Sequence, residues 1–304
     1  MKKISFISII FIIYLTIIGM IVSSKISIKQ EETVFKKIDI SVDAESCIVM
    51  NSKNEIIYAK NEHKKLLPAS ITKILTCLTS LKLYPLDHYV YITYDMVNTI
   101  GSKIYLKEGD FIKIEDLLYG LMLSSGNDAS KALEHALSNN STDFIYYMNK
   151  FAKEIGMKNS YFNNSSGLDN ESLNYTTSYD MAVLTNYAIK YNSFVKIYGA
   201  KKHTARLTDR MLYFRHKHRL VHNIPNILGG KTGYTEKAGR TLVTTFDYGT
   251  DTLTVVTFNS HNDWKIHEYF NEYYKTNFLS NSNEKYKNSL IKASYKRSRS
   301  EIDD

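Results

Sequence analysis

Leu66-Leu67-Pro68-Ala69-Ser70-Ile71-Thr72-Lys73-Ile74-Leu75-Thr76-Cys77-Leu78-Thr79-Ser80-Leu81-Lys82 is the stretch on which the reading of this chain turns. Ile71, Ile74, Leu75, Leu78 and Leu81 fall at the i, i+3, i+4, i+7 spacing of a helix with one face in a core. Pro68 suits the start of that helix, where a backbone N–H has no partner to lose. Ser70 then sits in the first turn, and Lys73, three residues on, shares its face. The free N–H groups of a first turn can bind an oxyanion, and the positive end of the helix dipole disfavours a cation on Lys73. A neutral amine within reach of a hydroxyl is the arrangement of an activated serine nucleophile.

Taken alone, Ser-x-x-Lys is a cheap pattern. It recurs at Ser193 and Lys196, Ser282 and Lys285, and Ser289 and Lys292, though none of these follows a proline at a helix start. Two further segments carry the case. Ser125-Gly126-Asn127 breaks two apolar runs, Leu121-Met122-Leu123 and Ala129 to Leu133; a plain turn and cap is the competing reading, and Ser-x-Asn recurs at Ser138 and Ser260. A polar loop pressed against a core nevertheless needs partners for its groups. Lys231-Thr232-Gly233 occurs once, after Gly229-Gly230 and before Tyr234. Glycines around it let another backbone or a ligand approach the strand closely, the competing reading being a tight turn with an exposed lysine.

The rest of the chain supplies the frame. Cys47 to Met50 and Ile56 to Ala59, joined by a polar turn, read as a β-hairpin ahead of the Ser70 helix. Helical periods follow over Ile114–Leu121, Asp128–Leu137, Asp143–Ile155 and Ser178–Tyr191. Thr241–Phe246 and Leu253–Phe258 read as adjacent antiparallel strands, and His261–Leu279 as a closing amphipathic helix bearing Trp264, Phe270, Tyr273 and Phe278. Sheet-forming ends therefore flank a helical middle. The fold class is α+β: an antiparallel β-sheet built from both ends of the domain, flanked by helices, with an all-helical lobe beside it.

Within 304 residues, 43% apolar and 23% charged, residues 39–279 form one catalytic domain with no glycine-proline linker to divide them. Lys2 and Lys3 precede an uncharged run from Ile4 to Val22, so residues 1–24 read as an export signal or an N-terminal membrane anchor, followed by a linker over 25–38. Val22-Ser23-Ser24 is a passable cleavage site, and the choice between removal and anchoring stays open; either way the domain lies outside the cytoplasm. The polar tail, residues 280–304, reads as solvated and disordered. Cys47 and Cys77 read as two buried thiols in preference to a disulfide. Thirty-nine Lys and Arg against 31 Asp and Glu give a net charge of +8, which suits an acidic polymer or an anionic membrane surface. No helix-turn-helix, finger or aromatic RNA-reading motif is present, so nucleic acid is not the expected partner.

Ser-x-x-Lys on a helix start, Ser-x-Asn in a helix–helix loop and Lys-Thr-Gly on a strand, in that order, make the signature of penicillin-binding proteins and serine β-lactamases. The chain resembles the low-molecular-mass penicillin-binding proteins, the serine-type D-alanyl-D-alanine carboxypeptidases of the β-lactamase/transpeptidase-like superfamily. The likeness runs through Pro68–Thr76, Asp116-Leu117-Leu118, Ser125–Ala129, Gly156–Asn159, Gly167-Leu168, Lys231–Thr235 and Ala238-Gly239, over roughly Ile40 to Leu279. It implies a peptidoglycan stem peptide ending in D-Ala-D-Ala as substrate, β-lactams as covalent inhibitors, and neither cofactor nor metal. By the same resemblance Ser70 is the nucleophile, Lys73 its base and Ser125 the relay to the leaving group. Asn127, Lys231, Thr232, Gly233 and Tyr234 bind substrate, with the N–H groups of Ser70 and Tyr234 as oxyanion hole.

Two departures stand out. Where some relatives place an arginine for the substrate carboxylate, this chain has Asn262-Asp263-Trp264-Lys265. The cluster Lys201, Lys202, Arg206, Arg210, Arg215, Lys217 and Arg219 reads as a solvated face, the alternative being contact with an anionic wall polymer. Rival functions are a β-lactamase, with Glu171-Ser172-Leu173-Asn174 as its glutamate element, and a non-catalytic β-lactam-sensing or wall-binding module.

Overall fold

A computed structural model describes residues 41–136, 141–170 and 172–279. The expected N-terminal segment, the linker, the polar tail and Glu171 lie outside these residues. Among the described residues no helix is long and apolar enough to cross a membrane.

Strands β1 (Ser46–Asn51) and β2 (Ile56–Lys60) form the hairpin expected from two apolar runs joined by a polar turn, and β7 (Ile227–Thr235), β8 (Gly239–Asp247) and β9 (Thr252–Phe258) follow from the far end of the domain. They make one antiparallel sheet in the order β2-β1-β9-β8-β7, so the two ends of the domain pair as the sequence pattern requires. Register sets Ile48 opposite Val256, Val256 opposite Val243 and Val243 opposite Lys231. Both faces of the sheet are covered. Thr254 donates to Asn186 of helix α6 (Ser178–Ala188), while Thr257 and Thr244 bond His267 of helix α9 (Asp263–Tyr274). Thr254 and Thr257 lie an odd number of residues apart, hence on opposite faces of one strand. Burial on both faces explains why β8 and β9 read as continuous β-branched runs.

Helix α1 (Lys73–Leu83) is the axis of the molecule and packs against α3 (Ile114–Leu123), α5 (Ser141–Glu154), α6 and α7 (Asn192–Tyr198). Here the structure corrects the one-faced helix. Every residue from Lys73 to Ser80 is buried, polar ones included. The polar side is closed by backbone: Thr76 donates to the Ser165 carbonyl at 2.6 Å and Ser80 to the Thr76 carbonyl at 2.9 Å. Short helices α2 (Tyr94–Val97) and α4 (Asn127–His135) complete the helical lobe with the small β3–β4 hairpin (Tyr89–Tyr91, Phe111–Lys113). Cys47 and Cys77 are separate buried thiols.

A second hairpin, β5–β6 (Lys202–Arg206, Met211–Arg215), carries part of the basic cluster, followed by the short helix α8 (Arg219–Asn223). That cluster is not a uniform solvated face. Arg210 forks onto the nearly buried Asp110, Arg219 lies over Trp264 at 4.9 Å, and Lys217 donates to Ser102 at 2.9 Å. Because Leu75 is fully buried in the hydrophobic core, Leu75→Ala is expected to remove about 2–5 kcal/mol of stability, read as a lower urea midpoint with an unchanged m-value.

Candidate active site

The turn carrying Ser70 is a 3-10 segment, Ala69–Thr72, and α1 proper begins only at Lys73. Ala69 is held at φ 48°. That left-handed residue swings the chain so that the Ser70 hydroxyl opens to the cleft while Ala69 stays buried. Two close approaches fix the turn. A Cβ on Gly167, whose φ is 81°, would run into the Ala69 carbonyl, and one on Gly233 would stand 2.9 Å from Ser70 N and 3.1 Å from Ile71 N. The glycine of Lys-Thr-Gly thus lets the edge strand β7 lie directly against the Ser70 turn, and Thr241 of β8 donates to the Pro68 carbonyl at 2.9 Å.

Lys73 Nζ lies 3.1 Å from Ser70 Oγ, 2.8 Å from Asn127 Oδ1 and 2.6 Å from the Ser166 carbonyl. Asn127 Nδ2 donates to the Ile100 carbonyl at 2.7 Å, which orients the amide so that its oxygen faces the lysine. Both the amide oxygen and the carbonyl are acceptors only. A neutral amine has two hydrogens, and these two acceptors take both. Its lone pair is then left facing Ser70.

Lys73 is fully buried, and its pKa is pulled down to about 7, first by burial and then by the Lys217 ammonium, with Asp128 opposing. The direction is the one expected from the sequence, but desolvation supplies it where a helix dipole was expected. Lys217 is the residue that sequence reasoning missed: it sat within a basic run as one more solvated charge.

Ser125 forms the matching pair with Lys231. It stands at φ 60° between α3 and α4, and Lys231 Nζ lies 3.0 Å from its Oγ and 2.8 Å from the Thr232 carbonyl. The loop is rigid by construction. A Cβ on Gly126 would meet both Ile104 and Asp128 at 2.9 Å, and the Asp128 carboxylate accepts from the N–H groups of Ile104, Leu106 and Ala129. Lys231 is also buried, and desolvation with Lys73 and Lys217 nearby depresses its pKa strongly. A charge on Lys73 thus works against a second ammonium on Lys231.

Of the residues singled out in the sequence, Ser70, Lys73 and Asn127 meet in one cluster and Ser125 with Lys231 in an adjacent one, and Gly233 faces the Ser70 turn. Thr232 is partly buried and Tyr234 exposed farther along β7. Thr235 donates to Asp169 at 2.6 Å, joining the strand to the loop that carries Ser166. Asp263, in the Asn262–Lys265 segment, pairs with Arg240 at 2.9 Å. Among the described residues no group of His, Cys, Asp and Glu is arranged to hold a metal ion.

The family model described as D-alanyl-D-alanine carboxypeptidase, of the S11 peptidases, matches residues 30–262. D-alanyl-D-alanine carboxypeptidase DacF of Bacillus subtilis is 34% identical over 209 residues, 66% of this chain and 53% of its own length. DacD of Escherichia coli is 31% identical over 222 residues, 66% and 54%. The chain spans about half the length of the curated relatives it matches. Among solved structures, a point mutant of the Streptomyces K15 DD-transpeptidase superposes with a TM-score of 0.73 at 25% identity, over 79% of this chain and 99% of that one. The D-alanyl-D-alanine carboxypeptidase of Mycobacterium tuberculosis gives 0.69 at 25%, over 73% and 84%. With the sheet, the lobe and the family match in agreement, the chain belongs to the D-alanyl-D-alanine carboxypeptidase family of S11 peptidases.

Proposed function

We propose that the chain is a penicillin-binding serine D-alanyl-D-alanine carboxypeptidase acting in the cell envelope, which removes the terminal D-alanine of peptidoglycan stem pentapeptides through an acyl-enzyme on Ser70. The observation that carries this reading is the Lys73 amine, whose two acceptor-only partners leave its lone pair for the Ser70 hydroxyl at 3.1 Å. Lys73 takes the proton as Ser70 Oγ attacks the carbonyl between the last two D-alanines. The N–H groups of Ser70 and Tyr234 receive the developing oxyanion. Asn127 holds the substrate backbone, and Thr232 with Gly233 receives its carboxylate end along the edge strand. The C–N bond then breaks as Ser125 relays the proton taken up by Lys73 to the departing amine, and Lys231 orients that hydroxyl. Water attacks the remaining ester, giving the shortened peptide and free Ser70. A β-lactam follows the same first step, but its leaving nitrogen stays tethered.

Ser70→Ala is expected to abolish both penicillin labelling and D-alanine release, whereas Lys73→Ala slows acylation by at least ~10²-fold; labelling that survives in Ser70→Ala, read by intact-protein mass spectrometry, would remove the assignment. The acylation rate should also climb with pH and level off above about 7, since only the neutral Lys73 accepts a proton. Removing the like charge in Lys217→Met raises the Lys73 pKa, so stopped-flow acylation profiles should show that limb moving to higher pH. A limb that stays in place or moves down contradicts this account of the base.

A further inference from the structure

The basic cluster divides in two by its contacts. Arg210, Lys217 and Arg219 are engaged by Asp110, Ser102 and Trp264, whereas among the described residues Lys201, Lys202, Arg206 and Arg215 form no ion pair. Three of the unpaired cations share one surface. In the β5–β6 register Lys202 stands opposite Arg215, Thr204 opposite Tyr213 and Arg206 opposite Met211, and all six are exposed. Residues directly opposite in an antiparallel pair point to the same face, so Lys202 and Arg215 form a like-charged cross-strand pair, an arrangement that costs stability. The one acidic residue of the hairpin, Asp209, lies in the turn against Arg210 and does not relieve it. The inner face is committed to the lobe. Ala205 and Phe214 are buried, His203 stacks on Tyr119 at 3.8 Å and lies 2.6 Å from the Asp116 carboxylate, and Arg210 ties the turn to Asp110 at 2.7 Å. The hairpin is thereby clamped to helix α3, and its cationic outer face is held in place before any partner arrives.

We propose that this outer face is a docking surface for an anionic polymer of the cell envelope, one whose negative charges are phosphodiesters repeated along a flexible backbone. Charge complementarity and spacing point to that occupant. Alternate residues of β5 project Lys202, Thr204 and Arg206 outward at steps of about 7 Å, so the two cations stand roughly 13 Å apart on a straight rail with a hydroxyl between them. A linear chain with an anion in every backbone repeat can follow that rail, its phosphate oxygens meeting the planar forks of Arg206 and Arg215. An anion seated between Lys202 and Arg215 also removes the repulsion within that pair. A bilayer is a poorer match, because it calls for apolar side chains that enter the acyl boundary. This face offers Met211 alone, beside Tyr213, whose hydroxyl donates to the Met211 sulfur at 3.4 Å. Strand β6 ends two residues before Lys217, which reaches Ser102 at the cleft rim, so a polymer on the hairpin leads toward the mouth of the site. The surface contains none of the residues assigned to catalysis, and binding there does not require Ser70 to be reactive.

The probe is a short fluorescent poly(glycerol phosphate), read by its anisotropy on titration with the full chain at low and at physiological salt. Binding should saturate, and should weaken as salt rises. Replacing the three cations in Lys202→Gln/Arg206→Gln/Arg215→Gln should raise Kd at least ~10-fold, the sum expected of three exposed charge contacts. A control of the same net charge, Lys53→Gln/Lys153→Gln/Lys158→Gln at exposed positions on other elements, should leave Kd nearly unchanged. Thr204→Glu places an acid two residues from both Lys202 and Arg206; it should weaken binding several-fold while the urea midpoint holds or rises, which separates lost docking from lost folding. Absence of saturable binding, or equal weakening in the hairpin variant and the control, overturns the surface. Vesicles of phosphatidylglycerol in phosphatidylcholine are titrated in parallel. Vesicle binding that depends on the same three cations, with no binding of the polymer, overturns the polymer as occupant and assigns the face to lipid headgroups.

Discussion

No side chain separates strand β7 from the turn that carries Ser70, and the rest of the site depends on that contact. Gly233 removes the Cβ that would press on Ser70 N, Gly167 removes the one that would strike the Ala69 carbonyl, and Thr241 ties Pro68 to β8. The sheet and the helical lobe are consequently locked at one seam. Ser70 and Lys73 come from the lobe side of that seam, Lys231 to Tyr234 from the sheet, and Ser125 with Asn127 from the loop above. A shift of an ångström between the layers would separate hydroxyls and amines now 3.0 to 3.1 Å apart. Backbone contact is a stiffer spacer than any pair of side chains, because it has no rotamers to change.

Strained backbone and unfavourable burial also occur at the same seam. Ala69 and Ser125 are non-glycine residues in the left-handed region, and two lysine amines are buried beside one another. Each of these raises the energy of the folded state, so the surrounding structure must over-determine them. It does so with main-chain groups: the carbonyls of Ile100, Ser166 and Thr232 and the three N–H groups bound by Asp128 have no freedom to rearrange.

Much of this was legible in one dimension. Helix α3 follows local periodicity, the hairpin β1–β2 and the strands β8 and β9 follow from short apolar and β-branched runs, and the sheet built from both ends follows from where those strands fall. Ser-x-x-Lys, Ser-x-Asn and Lys-Thr-Gly pointed to residues that the fold brings together. Illegible were features set by tertiary contact. The polar side of α1 resembles a solvated face until the Ser165–Ser166 carbonyls are seen against it. Lys217 resembles its basic neighbours until the loop places it against Ser102 at the rim, where its charge acts on both buried lysines. The hairpin β5–β6 alternates in burial, with Ala205 and Phe214 buried and His203 and Leu212 half-buried between exposed neighbours, but the residues themselves, polar along one strand and apolar along the other, carry no matching alternation.

The two buried amines differ in what depresses them. Burial comes first for both, Lys217 bears on each, and the Lys73 ammonium bears in addition on Lys231. Lys231, lowered further, directs its hydrogens to Ser125 and the Thr232 carbonyl. A buried amine whose pKa stands at about 7 is a weaker base than a solvated lysine and, by the same measure, releases an acquired proton more readily. On the reading of Lys73 as the base, uptake and release are then close in free energy at neutral pH, and for a group asked to act as base in one half-reaction and acid in the next, that balance matters more than strength in either direction.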